Sequence, residues 1–315
     1  MKTDKFIKLG DELIEIVNGA TRIVIIVAPF IKVNALQRIL ECVPNTVEVR
    51  CVTRWRLEEI CVGVSDIDIW PIIKQRGNTS LQLYADLHAK YYRADDVCYV
   101  GSANVTLKAL TWARNSNLEL MVKLPADHDP FPSFEKRLLE LAVDVDDSIY
   151  YNMKENVEIM QQENAMLNVD DAPLAEDIDF NQQTCFWIPQ LRHPEDLFAI
   201  YIDEVDHIID STIVIGKEDL YSLDIPRGLN KKQFTTYIGS ALLQQPILKS
   251  IDGFLTESQR FGAMTGFLRT IFEREGIVED TTRVWQNLMR WLLFYLPNRY
   301  GVKVPRHSEV FYRIK

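Results

Sequence analysis

The chain has 315 residues, 47% of them hydrophobic and 25% charged, which excludes whole-chain disorder and a fibrous repeat and leaves one large or two medium globular domains. Taken in bulk, the formal net charge of −10 and the pI of about 5.1 argue against a nucleic-acid binder. Five cysteines, an odd count without CxxC spacing, indicate neither a disulfide framework nor a zinc knuckle. The charged opening MKTDKFIKLGDELIEIV is no signal peptide and the longest apolar run, 23–31, is too short to span a bilayer, so a cytoplasmic protein with no membrane partner is expected.

In chain order, residues 11–18 carry Leu13, Ile14 and Val17 at helical spacing. The β-branched run 22–27, ended by Pro29, predicts a buried strand. A helix follows over 33–42, a strand over 47–53 and a short helix over 57–62; 68–73 fits either period. Residues 81–84 predict a strand, and 91–93 with 97–100 predict a hairpin turning at Asp95-Asp96. A helix is predicted over 107–112 and a closing strand over 118–124. This alternation predicts an α/β domain over 1–125, its sheet flanked by helices. Residues 131–166 are mostly helical, with Met153, Val157, Met160 and Leu167 spaced as a narrow seam, and the acidic tract 168–183 predicts a linker. Residues 126–183 thus form a helical and acidic connector that also suits a dimer contact. In a C-terminal domain over 184–315, helices are predicted over 234–243, 259–275 and 284–296, and a hairpin over 300–314; the apolar runs of 196–216 fit helix or strand. A mainly helical domain closed by a hairpin is compatible with a winged helix.

Charge is unevenly spread. Residues 1–124 hold 16 basic and 14 acidic side chains, 125–183 hold 3 and 15, and 184–315 hold 16 and 16. The last 33 residues, 283–315, carry 7 basic and 1 acidic. The negative charge therefore sits in one central stretch, and the bulk figure no longer excludes a polyanionic substrate.

The chemistry concentrates in LHAKYYRADDVCYVGSANVTLKAL, residues 87–110. His88 is a nucleophile competent near neutral pH. Lys90, two residues on, projects from the same face of an extended chain and can neutralise a phosphoryl oxygen. Gly101 and Ala103 let backbone approach a substrate, while Ser102 and Asn104 offer donors to non-bridging oxygens. The stretch resembles the phospholipase D superfamily signature, HxKxxxxDxxxxxxGSxN, with one residue fewer between Asp95 and Gly101; the resemblance covers roughly residues 20–124. It implies a phosphodiesterase that acts through a phosphohistidine without metal or other cofactor, with His88, Lys90, Ser102 and Asn104 in the site. Glu119 would orient an active-site histidine, while Asp95 is structural.

That chemistry needs two histidines, one attacking phosphorus and one protonating the leaving oxygen. His128, His193, His207 and His307 lack a lysine two residues on, so the chain holds half a site, and a two-fold homodimer is expected to complete it. The single-motif bacterial nucleases, restriction-endonuclease-like, that it is similar to imply DNA as substrate and a role in host defence. They are also compatible with an ATPase or translocase partner; since this chain has no GxxxxGK[ST] loop, any ATP use would belong to another chain. Arg54, Arg56, Arg299, Lys303 and Arg306 are candidate DNA contacts. The alternatives are an RNase, a non-catalytic DNA-binding or assembly subunit and, less favoured, a lipid phosphodiesterase.

Overall fold

A computed structural model describes residues 8–162, 187–305 and 309–314. The described chain divides into two compact units, residues 1–158 and 159–315. The predicted linker 168–183, Leu167 and Arg306 lie outside the described residues.

The first unit is a seven-stranded mixed sheet. Its strands are β1 Ile23–Val27, β2 Glu48–Thr53, β3 Thr79–Leu83, β4 Tyr91–Ala94, β5 Val97–Gly101, β6 Met121–Pro125 and β7 Val143–Asp144, in the order β6-β5-β4-β1-β2-β3-β7. β1, β2 and β3 are parallel; β4 runs against β1, β5 against β4 and β6 against β5. Because β1 is central, Val24, Ile25, Ile26 and Val27 are all buried, which is why its sequence is a continuous apolar run rather than an alternating one. The helices are α1 Leu9–Asn18, α2 Val33–Leu40, α3 Leu57–Cys61, α4 Ile69–Arg76, α5 Phe131–Leu141 and α6 Asp147–Gln162. α1 buries Leu13 and Val17, α2 buries Ala35, Leu36, Ile39 and Leu40, and the ambiguous stretch around 68–73 becomes α4. Leu138 and Ala142, with Phe131 and Phe134 against them, pack on Ile25, Val27, Val52 and Leu87.

Two readings are corrected. The helix predicted over 107–112 is a run of turns, with Thr111 in the left-handed region at φ 56°. This segment is shaped by docking on α1: Leu9 N–H donates to Thr111 Oγ1 at 2.8 Å, and Trp112 Nε1 donates to Asp11 at 2.8 Å. The helical stretch 131–166 breaks at 142–146, where β7 pairs antiparallel with β3, so the first unit extends past residue 125.

The second unit is mainly helical: a single 3₁₀ turn Pro194–Asp196, then α7 Leu197–Tyr201, α8 Asp210–Ser222, α9 Lys231–Leu243, α10 Pro246–Phe254, α11 Phe261–Glu275 and α12 Thr281–Tyr295. Three short strands, β8 Gln259–Arg260, β9 Tyr300–Lys303 and β10 Val310–Arg313, form an antiparallel sheet in the order β8-β10-β9. From α10 onward the order helix–strand–helix–helix–strand–strand is that of a winged helix. α10, which the sequence reading missed, starts with Pro246 in its first turn. Gly276 ends α11 in the left-handed conformation, φ 68°, where a side chain would be strained.

Candidate active site

The strand directions put every sequence-predicted residue of the first unit at one end of the sheet. Phe30 follows β1, Arg54 follows β2 and His88 follows β3, all past the carboxyl ends of parallel strands. Lys90 precedes β4, Gly101 ends β5 and Glu119 precedes β6, and the antiparallel pairings bring these three to the same end. The carboxyl ends of parallel strands are where open α/β sheets hold ligands.

The β4–β5 hairpin sets the register. Asp95 and Asp96 alone connect Ala94 to Val97, a two-residue turn that places Tyr91 opposite Val100. Gly101 N–H then donates to the Lys90 carbonyl at 3.4 Å, so the His-x-Lys and Gly-Ser-Ala-Asn segments face each other. Gly101 is required here: a Cβ would lie 1.9 Å from the Leu120 carbonyl oxygen. Asp95 serves the turn. At φ 49° it accepts from Thr21 N–H at 2.7 Å, Thr21 Oγ1 at 2.8 Å, Arg22 N–H at 2.9 Å and Ile23 N–H at 3.0 Å. Burial raises its pKa, but these hydrogen bonds outweigh it and hold the carboxyl at about 2.

His88 is exposed and Lys90 half-buried. Lys90 Nζ donates to the His88 carbonyl at 2.8 Å. Its pKa is lowered, first by burial and then by the Arg54 cation, against an opposing pull from Glu119. Ser102 Oγ donates to Glu119 and accepts from Leu120 N–H at 3.1 Å, and Asn117 Nδ2 donates to the other Glu119 oxygen at 3.0 Å. Asn104 Oδ1 accepts from Phe30 N–H at 3.4 Å, which turns its Nδ2 donor the other way. Val105 N–H donating to Phe30 and Lys32 N–H donating to Val105 fix this loop to the end of β1.

Two arginines expected at a DNA surface are used inside the unit. The Arg54 side chain is 13% exposed and forks onto Glu59, itself 7% exposed; its Nη1 donates to the Leu87 carbonyl at 3.0 Å and its guanidinium lies 5.3 Å from the Phe30 ring centroid. Arg56 donates to the Ala85 carbonyl at 3.4 Å and pairs with Asp86 at 3.7 Å, bracing the turn before His88. In the second unit Arg299 is 7% exposed and pairs with Asp252 at 2.5 Å, so it is spent within the fold, whereas Lys303 is exposed.

The sequence reading missed Glu59, Phe30 and Tyr92. Tyr92 donates its hydroxyl to the Ala103 carbonyl at 2.6 Å and so pins the Gly-Ser-Ala-Asn turn. Its signal was available: with His88 and Lys90 it falls on one period-2 face.

Residues 13–134 match the family described as "Cardiolipin synthase, PLD-like domain". Over these residues the chain is similar to a phospholipase D-like domain. No curated protein matches. Among solved structures, the chain is similar to NucT from Helicobacter pylori at 16% identity, TM-score 0.33, over 43% of this chain and 89% of that one. It is similar to phosphatidylserine synthase from Haemophilus influenzae Rd KW20 at 12% identity, TM-score 0.37, over 50% of this chain and 42% of that one. A third, TrmBL2, an archaeal chromatin protein described with a novel mode of DNA binding, matches at 18% identity, TM-score 0.29, over 42% of this chain and 48% of that one. Among the described residues no helix is long and apolar enough to cross a membrane.

Proposed function

We propose that this protein is a nuclease that hydrolyses DNA phosphodiesters through a phosphohistidine, in a site shared by two copies of the chain. The hairpin register that sets His88 and Lys90 against Ser102 and Asn104 carries the reading. Lys90 and the Asn104 amide would neutralise and hold the non-bridging oxygens, a clamp of preorganised donors. An unprotonated His88 nitrogen attacks phosphorus and the bond to the leaving oxygen breaks. A protonated His88 from the second copy gives that oxygen its proton, then takes one from the water that cleaves the phosphohistidine. Glu119, with Ser102 and Asn117, would orient that second imidazole.

The topology of the first unit supports the reading that a second copy supplies the other histidine. His128 is the other histidine of the first unit, and it follows the far end of β6, since Gly101 pairs with Met121 and Val97 with Pro125. Four strand steps, about 13 Å, separate the two ends. On the near side Leu118, Leu120 and Val122, at 100%, 69% and 45% exposure, bracket Glu119 with apolar surface that a second copy would cover. In a host-defence setting, the second unit would dock the ATPase or translocase that supplies nucleotide hydrolysis.

The test is incubation of wild type and His88→Ala with plasmid, single-stranded DNA, RNA and phospholipid vesicles in EDTA, with native mass measured alongside. Wild type should nick DNA as a dimer, and His88→Ala should be a dimer that does not. Cleavage by His88→Ala, or turnover of lipid alone, overturns the reading.

A further inference from the structure

The second unit has the order of a winged helix, and the helix that follows the turn, α12, is largely committed to packing. Nine of its fifteen residues are buried, and only Thr282, Arg283 and Phe294 are exposed. One stripe, Arg283, Asn287, Trp291 and Tyr295, spaced four apart, is taken up by the chain's own segment 190–194. Arg283 Nη2 donates to the Gln190 side-chain oxygen at 3.4 Å, Asn287 Nδ2 to the Gln190 carbonyl at 2.9 Å, Trp291 Nε1 to the Leu191 carbonyl at 2.8 Å and Tyr295 to the Pro194 carbonyl at 3.0 Å. This segment is anchored from its other side by Asp219 of α8, 1% exposed, which accepts from the Leu191 amide at 2.7 Å and the Gln190 amide at 3.1 Å.

The three-stranded sheet, in contrast, presents cations in register. Arg260 of β8 and Lys303 of β9 both pair with Val310 of β10, so the three side chains form one cross-strand row on one face, with the two cations exposed and Val310 buried between them. Tyr312, two residues on, shares that face. It lies over Gly301, where a Cβ would come within 2.6 Å of its ring, and Lys303 Nζ sits 5.6 Å from the ring centroid. The glycine is what lets the aromatic ring lie down beside the ammonium.

We propose that this row, Arg260, Lys303 and Tyr312, is the surface through which the second unit grips the phosphate backbone of duplex DNA. The proposal deepens the nuclease reading and rests on nucleic acid being the partner. Contact through backbone-facing cations gives affinity without base readout.

The experiment measures binding of a fluorescent 30-base-pair duplex to the full chain by anisotropy from 50 to 300 mM salt in EDTA, in the His88→Ala background so that no cleavage intervenes. Each phosphate contact contributes about 0.9 to the slope of log K against log salt. Arg260→Gln with Lys303→Gln should lower that slope by about 2 and weaken binding at least tenfold at 150 mM, with thermal unfolding unchanged. Lys303→Arg should restore about half of the lost slope to the double variant. Arg283→Gln on α12 should leave the slope as it is. An unchanged slope in the double variant, or a loss confined to Arg283→Gln, overturns the proposal. Plasmid cleavage by wild type in the same buffer reads the nuclease separately: absence of cleavage with sheet-dependent binding overturns the catalytic reading and leaves this one standing.

Discussion

Arg54 Nη1 donates to the carbonyl of Leu87 at 3.0 Å, one residue before His88. The same guanidinium forks onto Glu59 with two parallel bonds. A planar fork fixes direction as well as charge. Through it, β2 and α3 determine where the His88 backbone sits. Arg54→Lys keeps the charge and loses the fork. We expect kcat on DNA to fall at least tenfold while KM stays within about twofold, because positioning acts on the reacting geometry more than on binding. Replacing both Arg54 and Glu59 by Met removes the buried pair without orphaning a charge. That variant should fold as wild type and remain slow. Full activity in it would show that Arg54 only stabilises.

Asp95 holds the hairpin that carries the motif, and its carboxyl sits at about 2 in the folded protein. Unfolded, an aspartate titrates near 4. A depressed folded value contributes stability above the unfolded value, and this is lost as pH falls through 4 toward 2. Asp95→Asn should therefore cost about 2 kcal/mol at pH 7, and the charge-dependent part of that cost should vanish as pH falls below 2. Asparagine also tolerates the left-handed conformation, so the variant spares the backbone while it removes the charge and one of the two accepting oxygens. Denaturant titrations at several pH values check this.

Asp219 titrates in the opposite sense. Burial raises it to about 7, against the lowering effect of the Leu191 and Gln190 amides and Trp187. Its contribution is then fully present below about 4 and is lost as pH rises through 7. Hydrogen-exchange protection of the Gln190 and Leu191 amides, corrected for intrinsic rates, should decline between pH 5 and 8. The decline should flatten in Asp219→Asn.

Leu118, Leu120 and Val122 form an apolar rim beside Glu119. Leu120→Glu adds a charge to a surface that a second copy would have to desolvate. Sedimentation should show the dimer weakened by at least tenfold, and activity should fall in step with the dimer fraction. A monomer with full activity contradicts the shared site.

The motif was legible because its geometry is local. His88, Lys90 and Tyr92 share a face by the two-residue period, and Asp95-Asp96 is a tight turn between two strand-forming runs, so the register of Lys90 against Gly101 is written within about fifteen residues. The apolar run 23–27 likewise announced a strand buried on both faces. Other features depend on partners far along the chain. Residues 107–112 have helical spacing, but their docking on α1 about a hundred residues earlier holds Thr111 in a conformation that no helix contains. Arg54 and Arg299 read as surface cations because arginine is mostly exposed. Leu87 lies 33 residues from the first and Asp252 lies 47 from the second, and only folding brought them within reach. The sequence by itself determined that His88, Lys90 and Tyr92 share one face, with Lys90 opposite Gly101, since alternation along an extended chain needs nothing beyond neighbours. Tertiary structure decided which charges stay available to meet a phosphate, because a guanidinium is withdrawn from solvent where packing supplies carboxylate or carbonyl oxygens to satisfy it.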